Sequence, residues 1–360
     1  MAKGIRVFSG FVAIAMAASL VGCGGGSSNT SSSGSSSSSS SGGEQASSGG
    51  SSSGGSEAAL TVRLATTSAK GGALYEGAVK FSEIVKEKSN GTIDVQVFPD
   101  GQLGKDLSVL DAQKTGTVEM SIPSTAMAQK SPEFGVFDIP FLFENREKVQ
   151  NFANGEIWKS DLLPLFEKHG LVGLGFWENG FRQITNNTRP INTPEDLEGI
   201  KLRVPESKLR VAAFKVFGAN PTTMDFSEVF TALQQGVVDG QENPLGQIEA
   251  GRFYEIQKYL SITNHTYTPG YLVASKMWWD KLTPDQQKIL SEAAVEAGDY
   301  SRTYGAQADD ELLKKFKDAG MEVNDADVKS FQAKVEPVID ELKKSIDPGF
   351  VDKVVKAAQE

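Results

Sequence analysis

The chain offers little to a metal or a nucleophile. Its one cysteine is Cys23, and its two histidines, His169 and His265, lie far apart and outside any Cys/His cluster. A zinc ion therefore has no ligand set of the usual spacing. Gly50-Ser51-Ser52-Ser53-Gly54 fits G-x-S-x-G but sits in a Ser/Gly tract, without the strand before it and helix after it that a nucleophile elbow needs. Gly173-Leu174-Gly175 runs on to Glu178, where a dinucleotide fingerprint needs its third glycine. Carboxylate pairs can always be drawn from 46 acids, and sequence does not say which of them face each other. An enzyme finds no support here, and neither a metal nor a cofactor is called for. Arg203 is different. In "GIKLRVPES" (199–207), Ile200, Leu202 and Val204 point to one face of a strand, Lys201 and Arg203 to the other. Pro205 then stops the ladder. In open α/β sheets ligands sit at the carboxyl ends of strands, and a guanidinium there offers a planar fork for a carboxylate. Pattern alone leaves two readings open, a ligand clamp and a structural ion pair.

The elements around Arg203 alternate. "EAALTVRLATT" (57–67) and "TIDVQVFP" (92–99) read as strands. Between them lies a helix with Leu74, Ala78, Phe81, Ile84 and Val85 on one stripe, ended by Asn90-Gly91. "GKDLSVLDAQKTG" is helical and "VEMSIPS" is a strand. Residues 169–186 hold two strand-like runs around Glu178-Asn179-Gly180, and "TPEDLEG" (193–199) starts a short helix with Thr193 as cap. "SKLRVAAFKVFGAN" and "FSEVFTALQQGVVDG" are helices. The alternation predicts an α/β fold with a largely parallel sheet. Residues 283–320 form one helical pattern, opened by Thr283, Pro284 and Gln286 as a capping box. Its stripe runs through Ile289, Ala293, Ala297, Tyr300, Tyr304, Ala308, Leu312 and Phe316. At ~1.5 Å per residue it is about 50 Å long, which suits a helix lying across two domains.

Residues 1–56 are of another kind. Lys3 and Arg6 precede an apolar run from Val7 to Leu20, too short to span a bilayer and right for a secretory leader. Residues 24–56 are Ser or Gly except Asn29, Thr30, Glu44, Gln45 and Ala46. Such a tract buries too little to order itself and serves as a flexible tether with a mean reach of roughly 30 Å. The rest can fold, and at some 300 residues suggests two domains or one large one. Losing Lys3 and Arg6 takes the formal charge from −10 to −12. So acidic a body argues against nucleic acid and anionic lipid as partners. An anion would have to bind in a locally positive pocket.

Two resemblances sharpen these readings. Leu20-Val21-Gly22-Cys23 resembles a bacterial lipobox, which implies a signal peptide over 1–22, a lipidated Cys23 and a membrane anchor. "FWENGFRQITNNTRPINTPEDLEGIKLRVPES" and "GANPTTMDFSEVFTALQQGVVDGQENPL", with "PEFGVFDIPFLFEN" (132–145) and "FYEIQKYLSITNH" (253–265), resemble the extracytoplasmic solute-binding subunits of TRAP transporters, the DctP family. That resemblance covers essentially residues 60–330. It implies a two-domain, periplasmic-binding-protein-like (type II-like) α/β fold closing over a small organic acid, a C4-dicarboxylate or sugar acid, with delivery to a small and a large membrane subunit. The implied domains are 57–180 with about 268–300, and 181–267 with about 301–360. Residue by residue it implies that Arg203 salt-bridges the ligand carboxylate, Arg182 is a second arginine of the site, Asn243 helps fix the same carboxylate and Phe226 packs on the ligand. Glu242 either lines the pocket or orders its loop. Glu206, where sialic-acid binders carry Asn, disfavours that ligand; Asp225 either accepts ligand hydroxyls or caps its helix. Trp177 and Phe181 read first as core, Glu178 and Asn179 as turn residues, Trp278 and Trp279 as surface packing and Lys201 as solvated. Tyr267 and His265 fall where the chain crosses back between domains. Two alternatives remain. One is a receptor of the same fold serving a sensor kinase or chemoreceptor; the other is a secreted hydrolase with a carboxylate pair.

Overall fold

The computed structural model describes residues 60–360. The leader over 1–22, Cys23 and the Ser/Gly tract lie outside the described residues. The strands are β1 (Leu60–Ala65), β2 (Ile93–Phe98), β3 (Met120–Ser121), β4 (Leu171–Asn186), β5 (Lys201–Val204), β6 (Asn220–Thr223), β7 (Gly240–Pro244), β8 (Tyr259–Ile262), β9 (Tyr267–Ser275) and β10 (Glu322–Asp325). They run in the order β2-β1-β3-β9-β4-β7-β5-β6, with β8 on β4 and β10 on β8. The sheet is more mixed than the alternation predicts. β1 pairs parallel with β2 and β3, and β5 with β6 and β7. β9 is antiparallel to β3 and β4, and β4 is antiparallel to β7 and β8. The reason is that β4 carries the chain out of one half of the sheet and β9 brings it back.

β4 corrects a second expectation. Residues 171–186 are one strand and not two runs about a turn. Its first part pairs with β9 through Phe181, and its last part, from Arg182, pairs with β7. Glu178-Asn179-Gly180 is absorbed as a register shift between Glu178 and Gly180, a β-bulge that bends the strand where the two halves meet. Gly180 has φ +124°, a conformation open to glycine at no steric cost.

The long helix spans Pro284–Asp318, 35 residues, and opens with the expected Thr283–Gln286 capping box. Leu290, Ala293, Ala294 and Ala297 pack in one core with Trp177 and Leu272, while Phe316 packs in another with Phe253, Leu260 and Met321. One helix thus braces two cores. Its buried stripe differs from the predicted one midway: Gly298, Ser301, Arg302 and Gly305 are buried, whereas Tyr300 is exposed. The helix lies so close to β4 that a Cβ on Gly305 would come 2.8 Å from Glu178 Cγ, and one on Gly298 would come 2.9 Å from Trp177 Cδ1. A tyrosine does not fit that contact. Tyr300 and Tyr304 stack on each other instead, 6.2 Å between centroids. A third core gathers Phe137, Phe152, Phe166, Phe176 and Tyr271 with Phe214, Phe217 and Phe331. At the C-terminal end, Glu336–Lys343 packs on the helix Lys208–Val216, and Pro348–Gln359 packs on Arg146–Asn154.

Candidate functional site

The parallel strands deliver their carboxyl ends to one cleft of about 80 Å³. Thr67 follows β1, Ser124 follows β3, and Arg203 and Asn243 are the second-last residues of β5 and β7. Arg182 enters from β4 just past the bulge, Asn179 from the bulge itself, and Phe226 from the first position of the helix Phe226–Gln234. Asp106, Glu206, Asp225 and Gln247 complete the polar lining.

Arg203 is 3 % exposed. Its Nε donates to the Met224 carbonyl at 2.9 Å and its Nη2 donates to the same oxygen at 2.5 Å. Among the described residues no carboxylate lies within ion-pair distance of it, although Leu202 and Val204 on either side are fully buried. Burial, and after it the neighbouring Arg182, pull its guanidinium down to about 9. A buried cation without an anion is expensive unless something else supplies the negative charge.

Arg182 is by contrast already paired, through Nε and Nη2. Its Nε meets Glu242 Oε2, and its Nη2 donates to Glu242 Oε1 and Asn243 Oδ1, both at 3.0 Å, and to the Glu242 carbonyl at 2.5 Å. Glu242 also takes Arg210 Nη1 at 3.4 Å and faces His265 Nε2 at 3.0 Å. Burial works to raise the Glu242 carboxyl, but Arg182 and then Arg210 hold it far below the usual carboxylate range. Arg210 is fully buried and pairs with Asp138, which accepts a further bond from Ser207 Oγ at 2.5 Å. Burial, working against the neighbouring Glu242 carboxylate, lowers His265 from its ordinary value. Three arginines (182, 203, 210) then face two carboxylates (138, 242), and the cluster keeps one positive charge.

The other walls are acidic or neutral. Asp225 Oδ2 lies 2.5 Å from Lys105 Nζ, which also meets Glu228 at 2.9 Å. The Asp225 side chain makes no capping bond to its helix. Glu206 Oε2 accepts from Gln129 Nε2 at 3.0 Å. Asp106 Oδ1 accepts from Thr67 Oγ1 at 3.3 Å, and burial pushes its carboxyl up to about 6. Asn179 donates to Ser124 Oγ at 3.1 Å and accepts from Gln247 Nε2 at 3.0 Å.

Of the residues singled out in sequence, Arg203, Arg182, Asn243 and Phe226 line the cleft together. Glu242 does not; it is fully buried behind Arg182, so of its two readings the structure supports the ordering one. Asn179, Glu206 and Asp225 line the cleft, while Tyr267 and His265 stand outside it. The Tyr267 hydroxyl donates to Glu178 Oε2 at 2.5 Å, and Glu178, buried and not a turn residue, also pairs with Arg146 at 3.0 Å. Trp177 is core, its Nε1 bonded to the Ala294 carbonyl at 2.9 Å. Sequence reasoning missed Arg210, Asp138, Asp106 and Gln247. Arg210 did carry a signal, since it sits in register with buried Ala213, Phe214 and Phe217 at the i, i+3, i+4, i+7 spacing of an apolar stripe. Asp106 carried none, because an acid in a helix's first turn is ordinary.

Residues 64–345 match the bacterial extracellular solute-binding proteins, family 7 (DctP). Similar curated proteins include the 2,3-diketo-L-gulonate-binding periplasmic protein YiaO of Escherichia coli (strain K12), 37% identical over 76% of this chain and 84% of that one. Another is the C4-dicarboxylate-binding periplasmic protein DctP of Rhodobacter capsulatus, 36% identical over 79% of this chain and 87% of that one. Among solved structures, the sugar acid binding protein DctPAm of Advenella mimigardefordensis strain DPN7T, in complex with galactonate, superposes with a TM-score of 0.80. It is 37% identical, over 83% of this chain and 98% of that chain.

Proposed function

Because this chain belongs to the bacterial extracellular solute-binding proteins of family 7, we propose that it is the solute receptor of a TRAP transporter. It binds a small organic acid in the cleft and delivers it to a small and a large membrane subunit. The carrying observation is Arg203: a buried guanidinium at the cleft, held by one carbonyl and, among the described residues, in ion-pair contact with no carboxylate. A ligand carboxylate supplies the missing charge. Arg182, paired with Glu242, and Asn243, held by Arg182 and Gln241, stand ready beside it, and Phe226 gives an apolar surface for the ligand backbone. The relatives that bind a keto sugar acid, a C4-dicarboxylate and galactonate share the carboxylate that this arrangement requires. Receptors of this kind close two domains over the ligand. We place the domains at 57–180 with about 268–300, and 181–267 with about 301–360, meeting at the β4 bulge. The receptor returns its ligand unchanged, which separates it from a hydrolase.

A melting screen of organic acids tests the reading, since a ligand that binds only the folded state raises Tm. Shifts that saturate with carboxylates, and not with their amides or alcohols, are expected. A screen without any carboxylate response would refute it. We propose further that Cys23 carries the lipid and that the Ser/Gly tract tethers the body to the outer face of the cell membrane. Acyl chains supply the membrane affinity, so Cys23→Ser is expected to release the protein from the membrane fraction; a variant still sedimenting with lipid attached would disprove the anchor.

A further inference from the structure

The charged residues lining the cleft are Arg182 and Arg203 on one side of the ledger, and Asp106, Glu206 and Asp225 on the other. Arg182 is already neutralised by Glu242. The arginine cluster is left with one positive charge, enough for one carboxylate. Among the described residues no second unpaired cation lines the cleft to receive another, and Lys105, beside the acidic wall, is shared between Asp225 and Glu228.

We propose that the cleft selects acids with a single carboxylate and a hydroxylated tail over dicarboxylates, with Asp106, Glu206 and Asp225 as the selecting residues. The inference rests on the receptor reading above and narrows it. A hydroxyl donates to a carboxylate oxygen, and charge-assisted bonds of this kind are the strong ones. A second carboxylate on the ligand has no proton to donate and meets like charge at the acidic wall. Discrimination of this sort comes as much from the repulsion of the wrong ligand as from contacts with the right one. The three acids already have partners that leave acceptor capacity: Asp106 uses one oxygen on Thr67, Glu206 one on Gln129 and Asp225 one on Lys105. An ionised carboxylate accepts about four hydrogen bonds.

The test uses matched pairs that differ only at the far carbon, where one member has CH2OH and the other COO⁻: D-erythronate with meso-tartrate, and D-galactonate with galactarate. Calorimetric titration at pH 7.5 is run on the full chain lacking its leader. The expected result is that the monocarboxylate of at least one pair binds at least tenfold more tightly than its dicarboxylate. Asp106→Asn combined with Glu206→Gln, near-isosteric changes that remove the charges, should shrink that ratio at least threefold while the wild-type melting of the unliganded protein is kept. A dicarboxylate that binds as well as its partner, or a ratio unmoved by the double variant, overturns the inference and leaves the receptor intact. Binding of no member of either pair, with no other carboxylate shifting Tm, overturns the receptor reading and this one with it.

Discussion

Arg203→Met separates a ligand clamp from a structural ion pair by the sign of its effect on stability. In the folded protein burial first and Arg182 second pull Arg203 from its ordinary value down to about 9. At ~1.36 kcal/mol per unit that corresponds to a penalty on the order of 5 kcal/mol for carrying the charge. The group is a base whose folded pKa lies below its unfolded one. The penalty is therefore fully present at pH 7, fades only above about pH 9 and is gone above the unfolded value. Methionine fills a similar volume without charge. It forfeits the two donations to the Met224 carbonyl, worth about 1.5–3 kcal/mol together. The net is a gain of roughly 2–3 kcal/mol in the unliganded protein. At about 1–2 °C per kcal/mol for a body of this size, Tm rises by about 2–6 °C. Binding moves the other way. Removing one partner of a buried, hydrogen-bonded charge pair costs about 2–5 kcal/mol, or roughly 30- to several-thousand-fold in affinity. The assay is differential scanning calorimetry on protein stripped of ligand by unfolding and refolding, followed by titration with the acid that the melting screen selects. A variant that melts below wild type without ligand, or that binds within threefold of wild type, would refute the reasoning.

Other consequences follow from the same cluster. Glu242→Gln leaves Arg182 and Arg210 without their shared anion and should lower unfolding free energy in guanidinium by about 3–5 kcal/mol. The Glu242 carboxyl is depressed in the fold, so its contribution is intact at neutral pH and lost only on strong acidification; an unchanged denaturation midpoint at pH 7 would count against it. The Asp106 carboxyl, raised to about 6 by burial and facing Thr67 and Asp225, should titrate near that pH in carbon NMR of the unliganded protein. A ligand hydroxyl on its oxygens favours the ionised form, so its midpoint should fall on binding and the affinity for hydroxy acids should decline as pH drops below 6. A midpoint near 3.8 in the free protein would sink this. Saturating ligand should reduce the radius of gyration in small-angle scattering, since Arg203 and Arg182 on one wall and Asp106 and Ser124 on the other meet across the cleft; identical curves would argue against closure.

Local patterns carried most of the fold. The alternation in β1 and β2, the Thr193 and Thr283 caps and the length of the last major helix all correspond to observed elements. What stayed hidden was set by contacts between distant segments. Glu178-Asn179-Gly180 has the composition of a turn, yet the pairing of β4 with both β9 and β7 holds it extended. Tyr300 fits the helical stripe, yet Gly298 and Gly305 decide which face approaches β4. The cleft shows the same division. Arg203 stood out as a cation in an apolar strand two residues before Pro205, but pattern left both a clamp and an ion pair open, and only the family resemblance chose between them. Glu242 was legible only as a neighbour of the site, with lining and ordering both open, because β-strand alternation says which neighbours share a face and not which buried charge they meet. Arg210 and Asp138 are 72 residues apart, and no local signal joins them.

The two cleft arginines are built on different principles, and the difference suits a receptor that must both capture and release. Arg182 is paired in the empty protein, so its geometry costs nothing to organise when the ligand arrives. Arg203 is left short of charge, so the ligand's carboxylate brings a gain that water in the open cleft does not match. A site with both arginines paired would be stable and indifferent to anions. With both unpaired, the empty protein would carry two penalties of the Arg203 kind, a large fraction of the ~5–15 kcal/mol that keeps a domain folded. One of each keeps the empty protein folded and makes the liganded state the better one. In a chain of net charge −10, that local surplus of one positive charge, shielded from the acidic exterior by burial, is what allows an anion to be the preferred guest.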